Sequence, residues 1–277
     1  MPNFGYHLVR WQALIMRSFY RAFLPLIVRR SIQPPPIDLE VFAYSNEDSV
    51  PEQVASIRSF LRHVGRPKRF VVVSDGTHSD RSIALLKRVD LSVTVEGLPP
   101  VPADLPEKLR SYLSGHPTGK QLALIMTLPQ SGPALYLDSD VLFFAGASEL
   151  AERCREKDRS AFYLADCKFS GDRRLLRNET EAEQPANTGV LLLFRKCDWS
   201  ASLERFLELE GAPTFFTNQT ITHLAMHQNA AVPFDSSRYV LQLDDQFMFS
   251  DRYAGAGLVL RHYVNPVRHK LWTSLNK

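Results

Sequence analysis

From residue 38 onward, short apolar runs alternate with segments whose apolar residues recur every three or four positions, the pattern of alternating strand and helix. Leu39 to Tyr44 is short and apolar, which predicts a strand, and Ser45-Asn46-Glu47-Asp48 supplies turn and helix-cap chemistry after it. Val54, Ile57, Phe60, Leu61 and Val64 share one helical face, which predicts a helix over Val50 to Val64. Arg69 to Ser74 contains Phe-Val-Val-Val, a β-branched run suited to a strand buried on both faces. Asp75-Gly76 reads as a turn, Arg81 to Val89 as a helix and Leu91 to Val95 as a strand. This β-α-β-α-β opening implies a parallel sheet with right-handed crossovers and helices on both faces. Lys120 to Leu128 reads as another helix, leading into a strand at Leu135 to Leu137. Further strands are expected at Ala161 to Ala165, Gly189 to Phe194 and Leu258 to His262, with helices at Leu203 to Leu209 and Asn218 to Met226. Residues 38–277 therefore read as one α/β domain.

Residues 1–37 follow a different pattern. Arg10, Arg17 and Arg21 fall on one narrow arc of a helical wheel, with Trp11, Ile15, Met16, Phe19 and Phe23 on the other side. A basic, aromatic, acid-free amphipathic helix suits the surface of an anionic membrane, through residues 6–30. The other readings are a helix packed on the domain, a partly disordered tail, or a targeting peptide. Pro34-Pro35-Pro36 reads as an extended, semi-rigid linker into the domain. No apolar stretch reaches the ~18 residues that a membrane span needs.

Charge sharpens this division. Residues 1–37 hold five arginines and no acid, whereas the other 240 residues carry 28 basic and 30 acidic side chains. The basic excess belongs to the arm, which argues against a nucleic-acid surface on the body. Cys154, Cys167 and Cys197 cannot all pair and form no CxxC. That argues against a disulfide scaffold or a zinc site and favours a reducing, cytoplasmic setting, the arm being what suggests peripheral membrane contact.

The run Ala134 to Phe144 is broken by Asp138 and Asp140. Two residues apart on an extended chain, these carboxylates point to the same side. Two anions so close resist burial without a positive partner, and magnesium or manganese is the usual solution. The structural reading of the pair is a cap or turn. The strand before it ends at the carboxyl edge of the sheet, where open α/β sheets bind ligands.

With Leu135 to Asp140 matching Leu-Tyr-Leu-Asp-x-Asp, the chain resembles the GT-A fold glycosyltransferases, most closely those of family 8. The resemblance implies a GT-A (Rossmann-like) mixed, mainly parallel sheet flanked by helices. It implies manganese (or magnesium) at Asp138 and Asp140, bridging the diphosphate of a nucleotide sugar, with Ser139 among the donor-binding residues. Lys120, within Thr118 to Leu124, matches a basic position that contacts the nucleotide sugar, and Asp166 matches an acidic position near the sugar. Asn187-Thr188-Gly189-Val190-Leu191 resembles an Asn-x-Gly-Val-Leu segment whose asparagine lies at the transfer site. Asn218-Gln219 stands where the family has Asp-Gln, so Gln219 is carried over and Asn218 departs from the pattern. His262 to Arg268 resembles the His-x-x-Gly-x-x-Lys motif. It implies His262 as third metal ligand and Arg268 in the phosphate-binding place, with Lys270 an alternative, Trp272 closing the motif and Asn265 replacing the glycine. Tyr44, Ser45 and Asn46 take the place of residues that hold base and ribose.

The function implied is metal-dependent transfer of a sugar from a UDP-sugar to a hydroxyl on a glycan, lipid or protein, with retention of configuration. Asp166, Asn187 and Gln219 would lie at the reacting centre. Each of these residues also has a structural reading. His262 can be a packed strand end, Lys120 and Gln219 helix-surface groups, and Asp166 and Asn187 turn formers. Two competitors follow from the same residues. Asp-Ser-Asp after an apolar run fits a haloacid-dehalogenase-like phosphohydrolase with Asp138 as nucleophile and Asp244-Asp245 downstream. Asn218 and Asn265 also suit a non-catalytic nucleotide-sugar-binding protein.

Overall fold

The computed structural model describes residues 4–155 and 160–277. It opens with helix α1 (Phe4–Ile27), followed by β1 (Glu40–Ser45), α2 (Val50–His63), β2 (Arg69–Ser74), α3 (Asp80–Lys87) and β3 (Val93–Glu96). Then come α4 (Glu107–Gly115), α5 (Pro117–Met126), β4 (Ala134–Asp138), β5 (Val141–Phe143), α6 (Ser148–Arg153), β6 (Ala161–Ala165) and β7 (Ala186–Leu193). The chain closes with α7 (Ser200–Glu208), α8 (Thr217–Gln228), β8 (Val232–Pro233), β9 (Tyr239–Val240), β10 (Leu260–His262) and α9 (His269–Ser274).

Local chemistry sets the helix starts. Ser79 accepts from Ser82 N to cap α3, and His116 accepts from Thr118 N to cap α5, with Pro117 as its first residue. That cap explains why α5 begins three residues before the expected Lys120. The third strand starts at Val93 rather than Leu91, because Asp90 takes Ser92 N and pairs with Arg66, tying residues 90–92 into a turn.

The main sheet has the order β3-β2-β1-β4-β7-β6-β8. Neighbours from β3 to β4 run parallel, while β7 runs antiparallel to both β4 and β6. From β1 the chain first winds outward through β2 and β3, then returns to β4 on the other side of β1. The carboxyl ends of β1 and β4 thus flank the switch point, the place where such sheets take ligands. Along β4, Leu135 and Leu137 enter one apolar layer while Ala134 and Tyr136 enter the other, so the strand is buried on both faces. A three-stranded sheet, β5-β10-β9, continues from the end of β4.

Helix α1 packs on α9 and α2. Val9, Ala13 and Leu24 are buried on its inner face, and Tyr20 meets Trp272 with ring centroids 5.3 Å apart. Met16 also turns inward, so the apolar side expected opposite the arginines is divided between the protein and the surface. The proline linker is bonded to the body, with Arg66 N donating to Pro35 O at 2.7 Å and Ile37 N to Arg66 O at 2.9 Å.

Candidate functional site

Asp138 ends β4, and Asp140 lies in the two-residue turn between β4 and β5. The antiparallel pairing of β5 with β10 sets His262 opposite Val141, and Tyr263 N donates to Asp140 O at 2.9 Å. That register carries an imidazole to the acidic pair across 122 residues of chain. One ligand atom each from Asp138, Asp140 and His262 lies within 4.8 Å of the others. His262 Nε2 is 3.0 Å from Asp140 Oδ1 and 3.5 Å from Asp138 Oδ2. Arg268 donates from Nε at 3.0 Å and from a terminal nitrogen at 2.6 Å to Asp140 Oδ2.

The two carboxylates are not equivalent. Burial opposes ionisation of Asp140, but His262 and Arg268 outweigh it and hold this carboxyl at about 2. Asp138 has neutral donors instead, Gln121 Nε2 at 2.8 Å and Tyr136 OH at 3.0 Å. Burial pushes its carboxyl up, His262 pulls it back, and Asp140 adds to the rise. Burial tends to strip His262 of its proton, yet Asp140 and Asp138 together raise its pKa. At an effective dielectric of ~20, two unit charges ~4–5 Å apart repel by roughly 3–4 kcal/mol. The cluster therefore has anionic demand that its own side chains meet fully only at Asp140.

The residues fit a divalent cation. Two carboxylates and one imidazole form a donor set suited to manganese, or to magnesium with a larger share of water. The imidazole is oriented for it. Asn187 Oδ1 accepts from Gly189 N at 2.9 Å and faces His262 Nδ1 at 3.0 Å. A carbonyl oxygen already accepting there assigns a proton to Nδ1 and aims Nε2 at the two carboxylates, so Nε2 is the nitrogen that would bind a cation once it gives up its own proton. Space is kept by Gly189: a Cβ there would stand 2.2 Å from His262 Cε1 and 2.8 Å from Asp138 Oδ2.

Asn187 also reaches the other way. Its Nδ2 makes long contacts with Asp166 Oδ2 (3.4 Å) and Gln219 Oε1 (3.5 Å), and Gln219 Nε2 donates to Asp166 Oδ2 at 2.9 Å. Asp166, just past β6, Asn187 on β7 and Gln219 on α8 thus form one triangle joined to His262 through a single amide. The β6–β7 register steps from Tyr163↔Leu191 to Leu164↔Asn187. This irregularity leaves Thr188, Gly189 and Val190 without partners on β6, beside the cluster that Asn187 touches.

On the opposite side of the cluster lies a cavity of about 430 Å³, whose lining includes Asn46, Ser139, Asp140, Arg268 and, from α1, Arg10 and Arg17. Arg17 is held by Glu52 at 2.5 Å. Lys270 does not join this wall. Its ammonium is buried and donates to Met248 O (2.9 Å) and Ser250 O (2.8 Å), so of the two expected phosphate-binding cations only Arg268 faces the cluster. Lys120 lines a separate groove with Leu98 and Glu107. Its neighbour Gln121, which the motif did not single out, is the residue of α5 that touches Asp138.

Asn218 donates to Gln121 Oε1 at 2.8 Å and to Thr118 O at 3.1 Å. This fixes the Gln121 amide with Nε2 toward Asp138. A carboxylate at 218 would accept rather than donate and would turn Gln121 away. The departure at Asn218 therefore sets the orientation of Gln121 beside Asp138. The downstream doublet behaves differently: Asp245 is buried against Arg261 at 2.7 Å, and Asp244 pairs with Arg252 at 2.9 Å. Neither belongs to the Asp138 cluster, and the phosphohydrolase reading is not favoured.

No family model matches the chain, and no curated protein matches it. Its structure is similar to that of the galactosyltransferase LgtC in complex with donor and acceptor sugar analogs, at 15% identity and a TM-score of 0.55, covering 86% of this chain and 96% of that one. It is similar to mouse xyloside xylosyltransferase 1, apo form, at 14% identity and a TM-score of 0.54, covering 84% and 99%. The bifunctional glycosyltransferase WbbM matches at 14% identity and a TM-score of 0.54, covering 83% of this chain and 46% of that one. The fold is thus the GT-A fold of glycosyltransferases.

Proposed function

We propose that this chain is a metal-dependent glycosyltransferase that moves a sugar from a nucleotide-diphosphate sugar, a UDP-sugar by resemblance, to a hydroxyl acceptor with retention. The observation that carries the reading is the placing of Asp138, Asp140 and His262 between two unlike neighbours. One is an arginine-lined cavity suited to a diphosphate, the other a neutral and anionic triangle suited to a sugar. The fold shared with a galactosyltransferase and a xylosyltransferase supports the same reading.

Asp138, Asp140 and His262 would hold manganese or magnesium. A divalent cation there supplies positive charge to the diphosphate as the bond to the sugar breaks. Arg268, which holds Asp140 and lines the cavity with Arg10, would be the side chain placed to meet the phosphates. Asn187 keeps His262 in one tautomer and spans to the sugar side, where Gln219 and Asp166 orient hydroxyls around an oxocarbenium-like centre. Front-face attack by the acceptor hydroxyl suits a site in which Asp166 is already engaged by Gln219.

The test offers a panel of nucleotide sugars with manganese, beside p-nitrophenyl phosphate. Release of nucleoside diphosphate, with the phosphate ester untouched and the anomeric configuration retained in product, is the expected result. Hydrolysis of the ester, or metal-dependent binding of every donor without turnover, would reject the transferase reading in favour of its competitors.

A further inference from the structure

We propose that the outward face of α1 docks on the surface of an anionic lipid bilayer. The helix has two apolar faces. Val9, Ala13, Met16, Tyr20 and Leu24 pack inward, whereas Leu8, Trp11, Phe19, Phe23 and Leu26 form a stripe on the far side, each between 51% and 63% exposed. Isolated surface aromatics are ordinary, but a stripe running the length of a 24-residue helix is a contiguous apolar surface. At the N-terminal end it is extended by Phe4, four residues before Leu8 and 79% exposed.

Charge chooses the occupant. Residues 4–37 contain five arginines and no acid. Arg17 turns in to Glu52, Arg10 and Arg21 lie beside exposed Leu14 on the flank between the stripe and the inner face, and Arg29 and Arg30 lie just past the helix end. Arg30, Arg58 and Arg62 line one further pocket at that end. Apolar rings bordered by cations match an acyl boundary below anionic headgroups. A two-fold contact with a second copy would instead set arginine rows against each other with no acid between them. Crossing the bilayer is ruled out for α1, since none of the described helices is long and apolar enough and its inner face is already packed. Because α1 also contributes Arg10 and Arg17 to the donor cavity, docking sets that cavity about one helix diameter, ~10 Å, from the lipid. The docking itself does not depend on the transferase reading.

Trp199 and Trp272 are buried and Trp11 is 63% exposed, so a change in tryptophan emission on adding vesicles reports on Trp11. The full chain is mixed with vesicles of phosphatidylcholine, or of phosphatidylcholine with phosphatidylglycerol, and binding is followed by sedimentation and emission. The expected result is binding with a blue shift on the anionic vesicles only, weakened by salt. The double variant Trp11→Ser/Phe19→Ser should weaken it at least tenfold by sedimentation, with an unchanged far-ultraviolet circular dichroism spectrum. Arg21→Gln/Arg29→Gln/Arg30→Gln should remove the preference for anionic lipid. Absence of binding, equal binding to neutral vesicles, binding that ignores the double variant, or a stable dimer that this variant dissolves would each overturn the proposal. Nucleoside diphosphate release without vesicles should be unchanged in Trp11→Ser/Phe19→Ser, which separates failure of docking from failure of the transferase reading.

Discussion

Asp140→Asn is expected to lower metal-dependent turnover of the donor by about a thousandfold in kcat/KM, roughly 4 kcal/mol of transition-state stabilisation. Asp140 faces His262 through one oxygen and Arg268 through the other, and its carboxyl stays ionised at any ordinary pH. The amide is neutral, so a bound cation loses a full anionic ligand while the shape of the turn is kept. Stability should change far less. Arg268 is half exposed and can return to solvent, and His262 can lose its proton, leaving about 1–3 kcal/mol for a polar group imperfectly paired. Steady-state kinetics with manganese, beside a thermal melt, separates the two effects. A variant keeping more than a tenth of wild-type turnover would remove Asp140 from the reacting machinery.

Gly189→Ala is the second large effect, and it acts through space rather than charge. The added methyl would meet His262 Cε1 at 2.2 Å and Asp138 Oδ2 at 2.8 Å. Neither neighbour yields easily: His262 is fixed at both nitrogens by Asn187 and Asp140, and Asp138 by Gln121 and Tyr136. Gly189 itself sits on a buried strand and donates to Asn187, so the backbone cannot retreat without releasing that amide. Overpacking of this kind costs about 3 kcal/mol, and the displaced imidazole should cost roughly a hundredfold in manganese affinity. Metal titration and a melt together decide this. Wild-type manganese affinity in Gly189→Ala would mean that the imidazole does not approach the strand as described.

Much of this site was legible in sequence for a physical reason. Asp138 and Asp140 interrupt an apolar strand, where a carboxylate is costly enough to need a purpose. The β-α-β opening followed from β-branched runs and helical periodicity, and both β1 and β2 lie where the pattern placed them. Gln121 was not legible, because a glutamine on a helix carries no pattern until Asn218, 97 residues away, is seen to orient it. The placement of Lys270 was hidden for a related reason. Spacing put it two residues from Arg268, but α9 begins between them and carries the lysine into the buried group of Asp245 and Arg261. The irregularity at Leu164↔Asn187 was equally invisible, since one strand pattern is compatible with either register. On α1, periodicity found the amphipathic helix but could not show that it has two apolar faces, one of them spent on Trp272 and α2.

The central claim is that Asp138, Asp140 and His262 bind a cation that clamps a nucleoside diphosphate. Calorimetric titration of the full chain with UDP, GDP and ADP, in manganese and again in excess chelator, tests it most directly. One diphosphate binding at least a hundredfold more tightly with manganese, and no longer doing so in His262→Ala, is the predicted result. Equal affinity for every diphosphate with and without metal would contradict the claim.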